Sequence, residues 1–357
     1  MKRNMICMLA LLLAVSLLAG CAGTIVVINE CTCPTGGASH TPTPTLPANG
    51  DAVKTGLSVS ASVSDSTSAA DGKEGSIQYD ITIAAVTVDA NGVIRACSID
   101  SVPATVKING SGAITSDLTA PIQTKNELGA AYGMVDWGGA IAEWDAQVAA
   151  LCSYAIGKTV AELKNGAVGE SGYAPDGSDL ASSATIYLGG YVSAIEAAVN
   201  NAQYLGATDS DSLALVTLNS VKSSVAATVE KAGTAQLDAD IAVVTSKDGI
   251  ITSCIIDSLQ AKIGFDATGT ITSDLSAPIR TKNELGADYG MVDWGGAIAE
   301  WNQQAASFAA YVTGKTAAEV AGIAVSESTK PADGSDLASS VTISIGGFQA
   351  LIAKALG

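Results

Sequence analysis

Histidine is almost missing from this sequence: its 357 residues include one, His40. His40 stands in a Thr- and Pro-rich stretch, so the rest of the chain has neither the imidazole of a Ser-His-Asp triad nor a multi-histidine metal site. No cysteines have zinc-finger spacing, and no metal site is assigned. Basic residues are scarce, 18 Lys and Arg against 35 Asp and Glu, which gives a formal net charge of −17. That surface repels nucleic acid and anionic lipid, so nucleic acid is excluded as a partner; the acid excess also serves solubility. Aromatics are only 4% of the residues, so any place where they gather is informative.

Long apolar runs are confined to the N-terminus. Lys2 and Arg3 precede an apolar stretch over 5–18, and Leu18-Ala19-Gly20-Cys21 closes it with small residues and a cysteine. A membrane-spanning helix needs about 20 apolar residues, and this run is shorter. It reads as a lipoprotein signal peptide, 1–20, cleaved before Cys21. The mature chain is then expected outside the cytoplasm, on the outer face of the cell membrane, held through lipid on Cys21. Residues 21–55 read as a stalk, because Thr41-Pro42-Thr43-Pro44-Thr45-Leu46-Pro47 favours extended chain of about 3.1 Å per residue. Cys31 and Cys33 lie in it. Cys97 and Cys254 fall in apolar strand-like runs and are expected as isolated buried thiols.

Two copies of one unit fill the remainder. Residues 91–198 align without a gap with 248–355, and one residue is lost at the turn where Asp89-Ala90-Asn91-Gly92 faces Lys247-Asp248-Gly249. The expected domains are 56–206 and 207–357. Alternating runs at 77–88, 93–99 and 104–108 predict antiparallel strands joined by hairpins. Helical spacing follows at 140–156 (297–312), a short helix at 159–163 (316–320), and a closing helix whose first-copy face is Leu188, Val192, Ile195 and Val199. A sheet with segregated helices is an α+β fold.

Much of the two copies has diverged, yet 115–144 differs from 272–301 only at Thr119/Ser276, Gln123/Arg280 and Ala131/Asp288. All four tryptophans of the protein are in these stretches. Two readings stay open. A Gly-rich loop can expose Trp137 and Trp294 beside Tyr132 and Tyr289, offering flat faces to a planar ligand and Lys125 or Lys282 to its anionic group. A long loop that packs its own aromatics, or a recent duplication, would preserve the same residues. Asp136 and Glu143 have the residue types of a glycosidase carboxylate pair, but their spacing does not fix their separation.

Before each closing helix stands Asp179-Leu180-Ala181-Ser182-Ser183-Ala184-Thr185, and in the second copy Asp336-Leu337-Ala338-Ser339-Ser340-Val341-Thr342. This resembles the Asp-x-x-Ser-Gly-Ala-Thr signature of the FMN-binding domain family, found in flavinylated surface lipoproteins and in flavin subunits of ion-pumping redox complexes. The resemblance covers about half of each copy by order of motifs. It implies FMN joined through its phosphate to Thr185 and Thr342 by a flavin transferase, with redox proteins as partners. Serine replaces the family's glycine at Ser183 and Ser340, and Val341 replaces its alanine. A threonine at a helix start would also bring a phosphate to free backbone amides. The expected function is thus a surface electron carrier, with no catalytic residue assigned. The alternative is a cofactor-free module that binds glycan, wall polymer or protein through the Trp-Gly-Gly loop, with avidity from two copies.

Overall fold

The alternation along residues 75–88 changes halfway, and the architecture follows from that change. In the computed structural model, which describes residues 51–357, Ile77, Tyr79 and Ile81 are buried while Gln78, Asp80 and Thr82 are not. From Ile83 to Val88 every residue is buried. Alternation marks a sheet covered on one face, and a continuous apolar run marks one covered on both.

Strands β1 (Lys54–Ser62), β2 (Gly75–Val88) and β3 (Ile94–Ile108) form an antiparallel sheet in that order, with Ile83 opposite Val59 on one side and Asp100 on the other. The second copy repeats it with β4 (Ser212–Ser220), β5 (Gly233–Lys247) and β6 (Ile250–Phe265). The α+β class is therefore observed. β3 is one strand running through Pro103, opposite Asp80, where the pattern suggested two runs. The edge strands β1 and β4 carry no pattern singled out above. Val53 is already buried, so the folded chain begins before residue 56, the start expected for the first domain. The residue lost at the hairpin has a structural reason. In the second copy Asp248 and Gly249 turn the chain alone at φ 52° and 77°, the left-handed pair of a two-residue hairpin.

The first copy adds helices α1 (Lys125–Leu128), α2 (Met134–Gly138), α3 (Trp144–Ala155), α4 (Val160–Ala167) and α5 (Gly189–Asn200). The second adds α6 (Lys282–Leu285), α7 (Trp301–Val312), α8 (Ala317–Ala321) and α9 (Gly346–Leu356). Leu151, Leu163 and Ile195 pack against Val86, Ile94 and Ile99 on one face of the first sheet. Phe308, Val320 and Leu351 do the same against Val244 and Ile256 on the second. The remaining two faces meet each other: Ile77, Ile81, Ile83, Val102 and Val106 share one core with Leu237, Ile241, Val243, Leu259 and Phe265. The layers run helices, sheet, sheet, helices, and both copies belong to one compact unit.

A pseudo-twofold relation joins the copies. The Ala69 amide donates to the Gly269 carbonyl at 2.9 Å, and with the copies exchanged the Ala227 amide donates to the Gly112 carbonyl at 2.9 Å. Gly112 (φ 70°) and Gly269 (φ 72°) admit this approach; a Cβ on Gly269 would lie 2.4 Å from the Asn109 carbonyl oxygen. No helix among the described residues is long and apolar enough to cross a membrane. The expected signal peptide, Cys21, Cys31, Cys33 and His40 lie outside the described residues.

Candidate functional site

The nearly identical stretch is mostly a set of helix caps. Thr124 accepts the Glu127 amide at 3.2 Å while the Glu127 carboxylate accepts the Thr124 amide at 2.8 Å, a capping box on α1. Asn126 ties this turn to the sheet, its side chain donating to the Ile99 carbonyl at 2.9 Å and its amide to the buried Asp100 carboxylate at 3.2 Å. Thr281, Glu284, Asn283 and Asp257 repeat the arrangement. Both Glu143 oxygens are occupied, accepting the Met134 and Val135 amides at 2.8 and 3.0 Å, and Glu300 does the same for Met291 and Val292. That places Glu143 as the anchor of the Trp-Gly-Gly turn. Two of the three differences between the stretches form an ion pair in the second copy, Arg280 with Asp288 at 3.0 Å. It is exposed, and such pairs contribute about 1 kcal/mol or less.

Lys125 is placed differently from the expectation. Its ammonium rests on the rings of Tyr132 and Trp144, 5.0 and 5.2 Å from their centroids, and Lys282 sits likewise between Tyr289 and Trp301. These cations are held by aromatic faces inside the fold of the loop. Trp144 is buried, and its indole N–H donates to the Tyr191 hydroxyl at 2.9 Å. Trp137 and Trp294 are 91% and 92% exposed, each lying over a left-handed glycine, Gly133 or Gly290. Packing therefore accounts for most of the identical residues but gives these two indoles no partner beyond that glycine.

Helix α3 brings the loop and the Asp-x-x-Ser motif together. Gln147, fully buried, donates to the Ala142 carbonyl at 2.7 Å. Its carbonyl oxygen accepts the Thr185 amide at 2.7 Å, the Ile186 amide at 3.2 Å and the Thr185 hydroxyl at 3.3 Å. Gln304 does the same between Ala299 and Thr342, at 2.8 Å to the carbonyl, 2.7 Å from the amide and 3.2 Å from the hydroxyl. Thr185, Ser182, Ser183 and Asp179 are exposed on one turn; in the second copy Ser339 and Asp336 are exposed while Thr342 and Ser340 are half-buried. The expected helix-start position is corrected: α5 begins at Gly189 and α9 at Gly346, four residues beyond each threonine, and a glutamine occupies the threonine amide. Gln147 and Gln304 were missed in the sequence, although a signal was present. Each is a lone polar residue on the apolar face of its helix, with Trp144, Val148 and Leu151 around Gln147. Also missed was an exposed edge-to-face pair, Tyr173 and Tyr187, with centroids 5.6 Å apart two residues from Thr185. Lys330 and Ser344 stand there in the second copy.

Beneath the loop, burial pushes the Asp257 carboxyl up to about 6, against hydrogen bonds from the Thr281 side chain and the Asn283 and Ser258 amides. Asp100 shifts in the same direction for the same leading reason. A raised folded-state pKa means the carboxyl favours the fold while protonated. That stability is full below the unfolded value of about 3.9 and is lost as pH rises through about 6. Asp257→Asn should therefore gain melting temperature over the parent progressively from about pH 4 to pH 6 and hold the gain above. Parallel melting curves across that range would contradict the burial argument.

Among the described residues no cluster of three or more His, Cys, Asp or Glu side chains could hold a metal. Comparison with protein-family models, curated proteins and solved structures finds no match.

Proposed function

We propose that this chain is a lipid-anchored surface protein that carries FMN on Thr185, and on Thr342 in the second copy, and passes electrons between redox partners outside the cytoplasm. One observation carries the reading: the threonine of the family-like motif, exposed in the first copy and half-buried in the second, has its hydroxyl held by a fully buried glutamine in both. The bound flavin would supply the electron transfer; the protein supplies orientation and surroundings. Gln147 fixes the backbone at Thr185 and accepts its hydroxyl proton, aiming the oxygen before attachment. Ser182 and Ser183 offer exposed hydroxyls beside a phosphate, and Tyr173 with Tyr187 offers planar faces beside a ring. Those tyrosines favour the first copy. The two threonines belong to opposite outer layers with both sheets between them, so each carrier would meet its own partner.

The test is to express the chain with a flavin transferase and look for flavin fluorescence that stays with the denatured band on a gel. Thr185→Val should remove at least half of it, and Thr185→Val with Thr342→Val all of it. A band that stays dark in the parent sinks the carrier reading. It would leave the second reading, favoured by the exposed Trp137 and Trp294: a loop that binds glycan, wall polymer or protein, whose retention on a wall-polymer column is lost in the Trp137→Ala, Trp294→Ala variant.

A further inference from the structure

We propose that Cys97 and Cys152 form an exchangeable dithiol that closes to a disulfide and staples α3 to β3 in the first copy alone. The sequence pattern suggested an isolated thiol at Cys97, but the fold brings its Sγ to 3.5 Å from that of Cys152, 55 positions away in the chain. Both line a cleft of about 240 Å³ shared with Asn126, Asp145, Ser153 and Ile156. Cys97 is half-buried there and Cys152 is 7% exposed, so a reagent has a way in and the pair is shielded from bulk solvent. Bonding requires the sulfurs to close to about 2.05 Å, a shift of roughly 1.5 Å that side-chain rotation and a small helix movement can supply. The second copy has no such pair: Ala309 stands where Cys152 does, and Cys254 is buried and unpaired, its thiol pushed up to about 12 by burial.

The chemistry balances through exchange with an external disulfide, either a small molecule or a protein. One thiol loses its proton and its sulfur attacks the incoming disulfide, expelling one thiolate. The second then attacks the mixed disulfide, expelling the other. Two protein thiols are oxidised to one disulfide, the oxidant is reduced to two thiols, and two protons leave the protein. Contact with Cys152, and then burial, hold the Cys97 thiol well above its ordinary range, so exchange should be slow at neutral pH and faster in alkali. The staple fixes the helix that bears Gln147 and starts beside Glu143. It thereby couples the first-copy threonine turn and tryptophan turn to the redox state of the surroundings, and leaves the second copy indifferent.

The experiment uses the full chain, treated with oxidised glutathione or with dithiothreitol, alkylated and digested with trypsin without reduction. Oxidation should link the peptide of residues 96–107 to that of residues 126–158 and raise the melting temperature by about 5 °C, because closing a long loop restricts the unfolded chain. Dithiothreitol should reverse both. Cys152→Ala should abolish both and still fold, since alanine already fills that place in the second copy. Recovery of the two peptides separate and alkylated after oxidation would overturn the proposal. So would linkage of Cys97 to Cys31 or Cys33, or a melting shift that survives Cys152→Ala.

Discussion

Cut to its first copy, residues 51–206, the chain will not persist as a folded monomer. The inner face of its sheet is covered by the other copy, and Ile77, Ile81, Ile83, Val102, Val106 and Ile108 all lie in the shared core. Fully burying a side chain of this kind contributes about 1.5–3 kcal/mol. Six of them together amount to roughly 10 kcal/mol, comparable with the whole stability of an ordinary domain. The isolated copy also loses the Ala227–Gly112 and Ala69–Gly269 bonds. Because the copies are related by a pseudo-twofold, the exposed face is complementary to itself. The expected product is therefore a homodimer at micromolar concentration that unfolds on dilution. Sedimentation analysis with circular dichroism would read this. A monomeric 51–206 fragment with a cooperative melt would show that each copy has a sufficient core of its own.

Gln147→Ala should be the most damaging single substitution around the threonine turn. It removes the only acceptor given to the Thr185 and Ile186 amides and the donor to the Ala142 carbonyl, from a position with no solvent exposure. Leaving a buried polar group unsatisfied costs about 1–3 kcal/mol, and partial access of water to the exposed turn brings the sum to about 2–4 kcal/mol. Hydrogen exchange should show the Thr185 and Ile186 amides losing protection. Covalent flavin on the first copy should fall although Thr185 is intact. Gln304→Ala should do the same in the second copy and leave the first untouched. Unchanged exchange at both amides in Gln147→Ala would remove the glutamine from its positioning role.

The caps at Thr124 and Thr281 went unread, although Thr-x-x-Glu is a local signature of a capping box; the hairpin was legible, since Asp-Gly at 248–249 makes a tight turn from its own backbone preferences. The strand β2 was legible for a similar reason, since burial of one face is written in alternate residues. Lys125 was misplaced because a charged side chain in sequence carries no record of the aromatic rings around it. Strands β1 and β4 were missed, although β3, also at a sheet edge, was read, because the serines of β1 thin out the apolar signal that marks a strand.

From its residues alone, this protein is an acidic, duplicated α+β chain, because composition, repeat offset and periodicity are properties of the chain itself. Tertiary structure decided that the copies share one core, that Gln147 holds Thr185, and that Cys97 meets Cys152. Each of these joins positions tens of residues apart. The hydrophobic burial that brings them together acts on whole sheet faces, and so leaves no mark of pairing in the local sequence.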